Sequence, residues 1–179
     1  MACDLITKGR TLPCKNSRIG IKYVDFANFD SANVFTVTGQ EIATLPSGLD
    51  EVFRYQVKAT GNTLVETATV DLEKRTTEIK QVLNLVLQKM TKESEVEFLA
   101  LTYGITTAFV HDFNGNVFAV GIDTGLDATS STKSTDDGGY KITLEAVDTK
   151  YSPYLSSSAK TALEALVSTS NVTPRSEEH

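Results

Sequence analysis

The chain has 179 residues, 40% of them hydrophobic and 22% charged, and its 17 Lys and Arg against 23 Asp and Glu give a net charge of -6. This is the length and composition of a folded chain of one domain, or at most two small ones, not of a disordered chain or a multidomain enzyme, and its most apolar stretches, Val82 to Leu87 and Phe118 to Ile122, fall far short of the roughly 20 residues of a membrane helix. The acidic balance repels phosphate backbones and disfavours sequence-general nucleic-acid binding.

The first residues, Met1 to Arg10, lack the apolar core and cleavage site of a signal peptide, which predicts a protein kept in a cytoplasm with Cys3 and Cys14 as free thiols. No second cysteine pair exists to complete a zinc site. Ile19, Ile21 and Tyr23 then alternate with Gly20 and Lys22, and a first strand is predicted to run on through Val24, Phe26 and Phe29. A second is predicted at Val34 to Thr38. Gly39 to Asp50, with Pro46, Ser47 and Gly48, reads as a loop with a short strand near Glu41 to Leu45. Phe53, Tyr55 and Val57 alternate with polar residues as a half-buried strand, and Leu64 to Leu72 is a Thr- and Val-rich strand closed by the turn Glu73-Lys74-Arg75.

Thr77 to Met90 fits two periods. Ile79, Leu83, Leu85 and Leu87 recur at strand spacing, whereas Ile79, Val82, Leu83, Val86, Leu87 and Met90 make a helical stripe. The preceding strand and tight charged turn favour a hairpin, so a strand is predicted. Thr91 offers an N-cap, Glu93 and Glu95 suit the positive end of a helix dipole, and Val96, Leu99, Ala100 and Tyr103 follow at helical spacing up to Gly104; a helix is predicted over about 92–103. Ile105 to Phe113 and Asn116 to Asp123 flank Asn114-Gly115, the signature of a type I′ hairpin turn. Thr124 to Gly139 is rich in Gly, Ser, Thr and Asp and reads as a flexible loop. Tyr140, Ile142, Leu144 and Ala146 alternate as a last strand ended near Pro153. A short helix over Ala159 to Val167 precedes a polar tail. The fold class predicted is mainly β: a sandwich or barrel of two antiparallel sheets with one packed helix and a short C-terminal helix.

Few residues offer chemistry. The chain has two histidines and no Trp. His111 and Asp112 are neighbours in a strand, so they point to opposite faces and cannot act as base and orienter for each other; His111 reads as a polar residue on the wet face of an edge hairpin. Asp123, Asp127, Asp136 and Asp137 gather about the long loop without the ligand alternation or terminal Glu of a calcium loop, and read as a solvated acidic segment. Asn171-Val172-Thr173 matches a glycosylation triplet that has no meaning without secretion. No phosphate-cradling glycine motif occurs. Phe26, Phe29, Phe53 and Tyr55 sit at strand spacing and read as core. No catalytic, cofactor-binding or metal-binding residue is assigned, no cofactor is expected, and the chain is not expected to be an enzyme.

The segment Ala2-Cys3-Asp4-Leu5 through Gly9-Arg10-Thr11-Leu12-Pro13-Cys14-Lys15-Asn16 into Gly20-Ile21-Lys22-Tyr23-Val24 resembles the start of tailed-bacteriophage virion proteins. The likeness continues through Leu85-Val86-Leu87-Gln88-Lys89-Met90 into the acidic helix, then Asn114-Gly115-Asn116-Val117-Phe118-Ala119-Val120-Gly121, then Gly139-Tyr140-Lys141-Ile142-Thr143-Leu144. This order resembles phage tail tube proteins over residues 1–150 and leaves 151–179 as a C-terminal extension. The resemblance implies a virion structural protein, six copies of which join their sheets into a ring with a continuous inner barrel. The rings stack into the tube through which genomic DNA passes without specific binding. Partners would be further copies of the chain and other tail or neck proteins, with no membrane. Loops from Asn28 to Asp50 and Thr124 to Gly139 are the candidates for contacts between rings, with Asp30, Phe35, Leu45, Leu49, Thr124, Asp127, Thr135 and Asp137 as their contact residues. Alternatives of the same scaffold are a neck, head-tail connector or capsid-decoration protein, or a carbohydrate-binding module using Tyr151 and Tyr154. Acidic charge suits a conduit, because a negative lumen lets DNA slide.

Overall fold

A computed structural model describes residues 6–57, 60–88 and 90–169. Cys3, the triplet at Asn171 and His179 lie outside these residues; Cys14 is an exposed free thiol. The strands are β1 (Ile21–Asn28), β2 (Val37–Thr38), β3 (Glu41–Ile42), β4 (Phe53–Gln56), β5 (Thr63–Asp71) and β6 (Thr76–Gln88). Helix α1 (Lys92–Tyr103) follows, then β7 (Thr106–Asp112), β8 (Val117–Val120), β9 (Asp127–Ser134), β10 (Gly139–Asp148), β11 (Tyr154–Leu155) and helix α2 (Ser157–Leu166). They form a seven-stranded sheet in the order β2-β3-β11-β8-β7-β1-β4 and a four-stranded sheet in the order β5-β6-β10-β9. All pairs are antiparallel except β3 with β11. The mainly β sandwich with one packed helix and a short C-terminal helix is therefore what the sequence folds into.

The large sheet has a core on each face. Val24, Phe26 and Val110 pack with Leu83, Leu85, Ile142 and Leu144 of the small sheet. Ala27, Phe109 and Ala119 pack on the other side with Leu155, Ala159 and Leu163. A central strand with apolar layers on both sides loses its wet face. This is why β1 buries Val24, Asp25, Phe26 and Ala27 in succession. The small sheet is covered on one side only, so in β6 Ile79, Gln81, Leu83 and Leu85 are buried at every second position. That settles the two-period segment as a strand: β6 is paired with β10 from Ile79 to Gln88 and with β5 from Thr76 to Asn84, two ladders that a helix would forgo.

Three local expectations are corrected. Helix α1 starts as predicted, with the Thr91 side chain accepting from the Ser94 N–H at 3.1 Å, but it buries Phe98 and Leu101 and leaves Val96, Leu99 and Tyr103 exposed. The stripe that announced the helix is not the one that holds it down. The turn after β7 is not type I′. Asp112 donates its N–H to the Asn116 carbonyl at 3.0 Å across a three-residue loop in which only Gly115 has positive φ, and the Asp112 carboxylate accepts from the N–H groups of Asn114 and Asn116. A carboxylate that satisfies the turn's donors makes the longer loop as good as the tight one. Third, Thr124 to Gly139 is not a flexible loop: β9 pairs with β10 from Asp127 to Ser134, which leaves a turn of only Thr135 to Gly138.

Residues 151–169 are built into the domain. β11 lies between β3 and β8, α2 packs on the second core, and Val52 forms a bridge with Val167. Pro153 does not end the strand region; its carbonyl accepts from the Ala119 N–H at 3.0 Å and leads directly into β11. Where β10 starts, a Cβ on Gly139 would run into the Leu87 carbonyl oxygen of β6. A backbone atom in a ladder cannot step aside alone, so Gly139→Ala is expected to lower stability by about 1–3 kcal/mol, seen as a lower urea midpoint.

Candidate assembly surface and buried charge network

His111 is not on the wet face of an edge hairpin. It sits in β7, third from one edge of the large sheet, and is 7% exposed. Adjacent residues do point apart: Asp112 turns to the hairpin loop, while His111 Nε2 lies 2.7 Å from Asp25 Oδ2 of β1. Asp25 is directly opposite Arg54 of β4. Arg54 donates from Nε to Asp25 Oδ1 at 2.8 Å and from Nη2 to Oδ2 at 3.0 Å, and reaches Glu164 of α2 at 2.7 and 3.1 Å. The Tyr23 ring packs against both, 4.3 Å from the His111 ring and 4.1 Å from the guanidinium carbon.

Burial alone would push the Asp25 carboxyl up. Hydrogen bonds from His111 and Arg54, with their charges, more than offset this and hold it below its ordinary value. The Asp25–His111 pair lies deep in the sheet, with Asp25 fully buried, His111 7% exposed and the Tyr23 ring against the imidazole. What the network does is fasten β1, β4 and β7 to the exposed end of α2 through one planar guanidinium with a carboxylate at each end.

The second candidate surface is the small sheet. Its outer strands β5 and β9 have no strand beyond them among the described residues. Its uncovered face carries Thr63, Asn84, Thr143 and Ser130 in one row across the four strands, with Val65 opposite Val82 and Thr67 opposite Lys80 in the rows beyond. The charged residues there are Asp71, Glu78, Asp127 and Glu145 against Lys80 and Lys141, a net of two negative charges. Lys80 meets Glu145 at 3.1 Å and Lys141 meets Asp137 of the turn at 3.2 Å.

The predicted contact residues divide between surface and core. Asp30 is exposed and accepts from the Ala32 N–H at 2.9 Å, closing its own turn. Phe35 and Leu45 pack against the second core and Leu49 is buried in it, so this loop is folded onto its own chain. Thr124 and Asp127 stand at one end of β9, Thr135 and Asp137 at the other, about 25 Å away at the rise of an eight-residue strand. Asp123 and Asp127 are likewise far from Asp136 and Asp137, and among the described residues no three His, Cys, Asp or Glu side chains gather where a metal ion could sit. Of the aromatic residues read as core, Phe26 is buried and Tyr55 half-buried, whereas Phe53 is exposed. Tyr151 and Tyr154 are exposed as well. The sequence reading missed Asp25 and Arg54. The one available signal was a carboxylate inside the apolar run Tyr23-Val24-Asp25-Phe26-Ala27, where an unpaired charge would be intolerable.

Comparisons of the chain with protein-family models, with curated proteins and with solved structures find no match.

Proposed function

We propose that the chain is a virion structural protein, the subunit of a phage tail tube, which joins edge to edge into rings that stack around a DNA conduit. The observation that carries this reading is the four-stranded sheet, solvent-facing on one side and, among the described residues, open at both edges. Alternation along β5-β6-β10-β9 makes β5 and β9 run in opposite directions. Copies related by rotation about a ring axis keep their orientation, so β9 of one copy would meet β5 of the next antiparallel and continue the ladder unbroken. Long open edges invite association with other chains, and closure into a barrel removes them.

Six copies of a four-stranded sheet would give a barrel of twenty-four strands, about 37 Å across its backbone before tilt is counted. Barrels of 16–18 strands already leave an aqueous channel. The lining would be hydroxyl-rich and weakly negative, a surface with little hold on a phosphate backbone. The two ends of β9, with Thr124 and Asp127 at one and Thr135 and Asp137 at the other, would face the rings above and below.

Electron microscopy of the purified chain over a range of concentrations, with light scattering, tests the reading. Rings and then tubes are expected as concentration rises. A chain that stays monomeric at high concentration, even with preassembled tails as seeds, overturns it.

A further inference from the structure

The two sheets differ in width, and the difference leaves an apolar surface at each side of the sandwich. On one side, α1 closes the gap beside β9. Glu95 meets Lys133 at 2.7 Å, Thr102 lies 3.2 Å from Ser131, and Glu97 is close enough to β4 for its charge to add to the burial that pushes the Tyr55 hydroxyl up to about 12. Its inner face is held by Phe98, stacked on Tyr140 with ring centroids 4.6 Å apart. Its outer face carries Val96, Leu99 and Tyr103, with Ile105 just beyond, all exposed; Tyr103 is 82% exposed. Positions spaced three and four apart form one stripe, and none of the described residues covers it.

On the other side, β5 is the last strand of the small sheet. It is tied to the segment before β11 by Glu66, which accepts from the Ser152 N–H at 2.7 Å and the Ser152 hydroxyl at 2.9 Å. The large sheet continues past that point through β11 and β3. Tyr154 therefore projects from the overhang, 46% exposed, with its ring against Phe118 at 4.8 Å; Tyr151, three residues earlier, is exposed too. The stripe and this ledge lie at opposite sides of one molecule, next to β9 and β5 respectively.

We propose that the outer stripe of α1 docks on the Tyr154 ledge of a second copy of this chain. The proposal rests on the tube reading, since joining β9 to the next copy's β5 is what would bring the two surfaces together. The surfaces differ from each other, so the contact is heterologous and propagates in one direction round a ring. Charge complements shape: Lys92 and Glu93 border the stripe, and Glu41, paired with Tyr154 across the parallel bridge, and Lys150 border the ledge. At the flank of the stripe Glu95 is already paired with Lys133, which leaves Lys92 and Glu93 to meet Glu41 and Lys150. The helix turns a strand junction, which alone supplies only backbone hydrogen bonds, into an interface with an apolar centre.

The test is made on the full chain with Cys3 and Cys14 replaced by Ser. Leu99→Cys with Tyr154→Cys is oxidised at a concentration where the wild type assembles, and a ladder of covalent oligomers is expected that neither single-cysteine chain produces. Leu99→Asp is expected to raise the concentration needed for assembly at least tenfold while leaving the circular dichroism melt of the monomer unchanged. If the wild type assembles but no ladder forms and Leu99→Asp assembles at the same concentration, the docking is wrong and the tube reading stands. If the wild type never assembles, the tube reading fails and the docking with it.

Discussion

Replacing Asp25 with alanine is expected to destabilise the folded chain by about 3–5 kcal/mol, the range for removing one partner of a buried charge pair. The carboxylate is fully buried and is contacted by three donor atoms, two from Arg54 and one from His111. Without it the guanidinium keeps one anchor, Glu164, whose side chain is half exposed, and His111 faces a void lined by Phe109 and Tyr23. Glu164→Ala removes only the outer half of the bridge and is expected to cost below about 1 kcal/mol, because that pair is screened by water. Urea titrations of the two variants measure both, and equal losses would contradict the network as described. The acid limb carries the same signature. A carboxyl held below its ordinary 3.8 in the folded chain contributes stability that is fully present above that value and is lost as pH falls through the lower folded value. The stability of Asp25→Asn, which cannot ionise there, is expected to fall less steeply than that of the wild type below about pH 4.

That network shows where sequence reading stops. The partners of Asp25 lie 29 and 86 residues away, so only the fold says that they meet. Local signals fared better. Thr91, Glu93 and Gly104 bracket α1 because caps act within one turn, and the alternation of Ile79, Leu83 and Leu85 finds β6 because one of its faces is dry. The outer stripe of α1 misleads for an instructive reason. Val96, Leu99 and Tyr103 have the spacing of a buried face, and periodicity cannot distinguish a stripe packed in the core from one that is exposed. β9 was hidden by the opposite fault. Its residues, Asp127-Ala128-Thr129-Ser130-Ser131-Thr132-Lys133-Ser134, bury almost nothing, since an edge strand with one solvated face needs backbone pairing more than apolar side chains. Hydroxyls and a lysine along an open edge also discourage indiscriminate pairing.

Deleting residues 124–139, harmless for a flexible loop, is therefore expected to abolish folding. Thr124 lies beside Val147, its hydroxyl 3.3 Å from that carbonyl, so the chain enters β9 at the end of the sheet where β10 leaves it. Joining Asp123 directly to Tyr140 would demand a link across the seven residues from Tyr140 to Val147. That distance is about 23 Å, and a single peptide unit spans about 3.8 Å. β10 would have to be pulled from its ladder with β6, and α1 would lose the Lys133 and Ser131 contacts that seat it. A cooperative unfolding transition should be missing from the deleted chain. Replacing Thr135-Asp136-Asp137-Gly138 by Asn-Gly is the contrasting experiment. Ser134 and Gly139 are already a cross-strand pair, so a two-residue turn closes the same register and stability should stay within about 1 kcal/mol of the wild type. With the fold intact, that variant tests the turn in the proposed tube assembly. If Thr135 and Asp137 touch the neighbouring ring, it should form single rings that stack poorly. If it builds tubes as long as the wild type's, the contact between rings lies elsewhere, and the Thr124 and Asp127 end of β9 is left to make it.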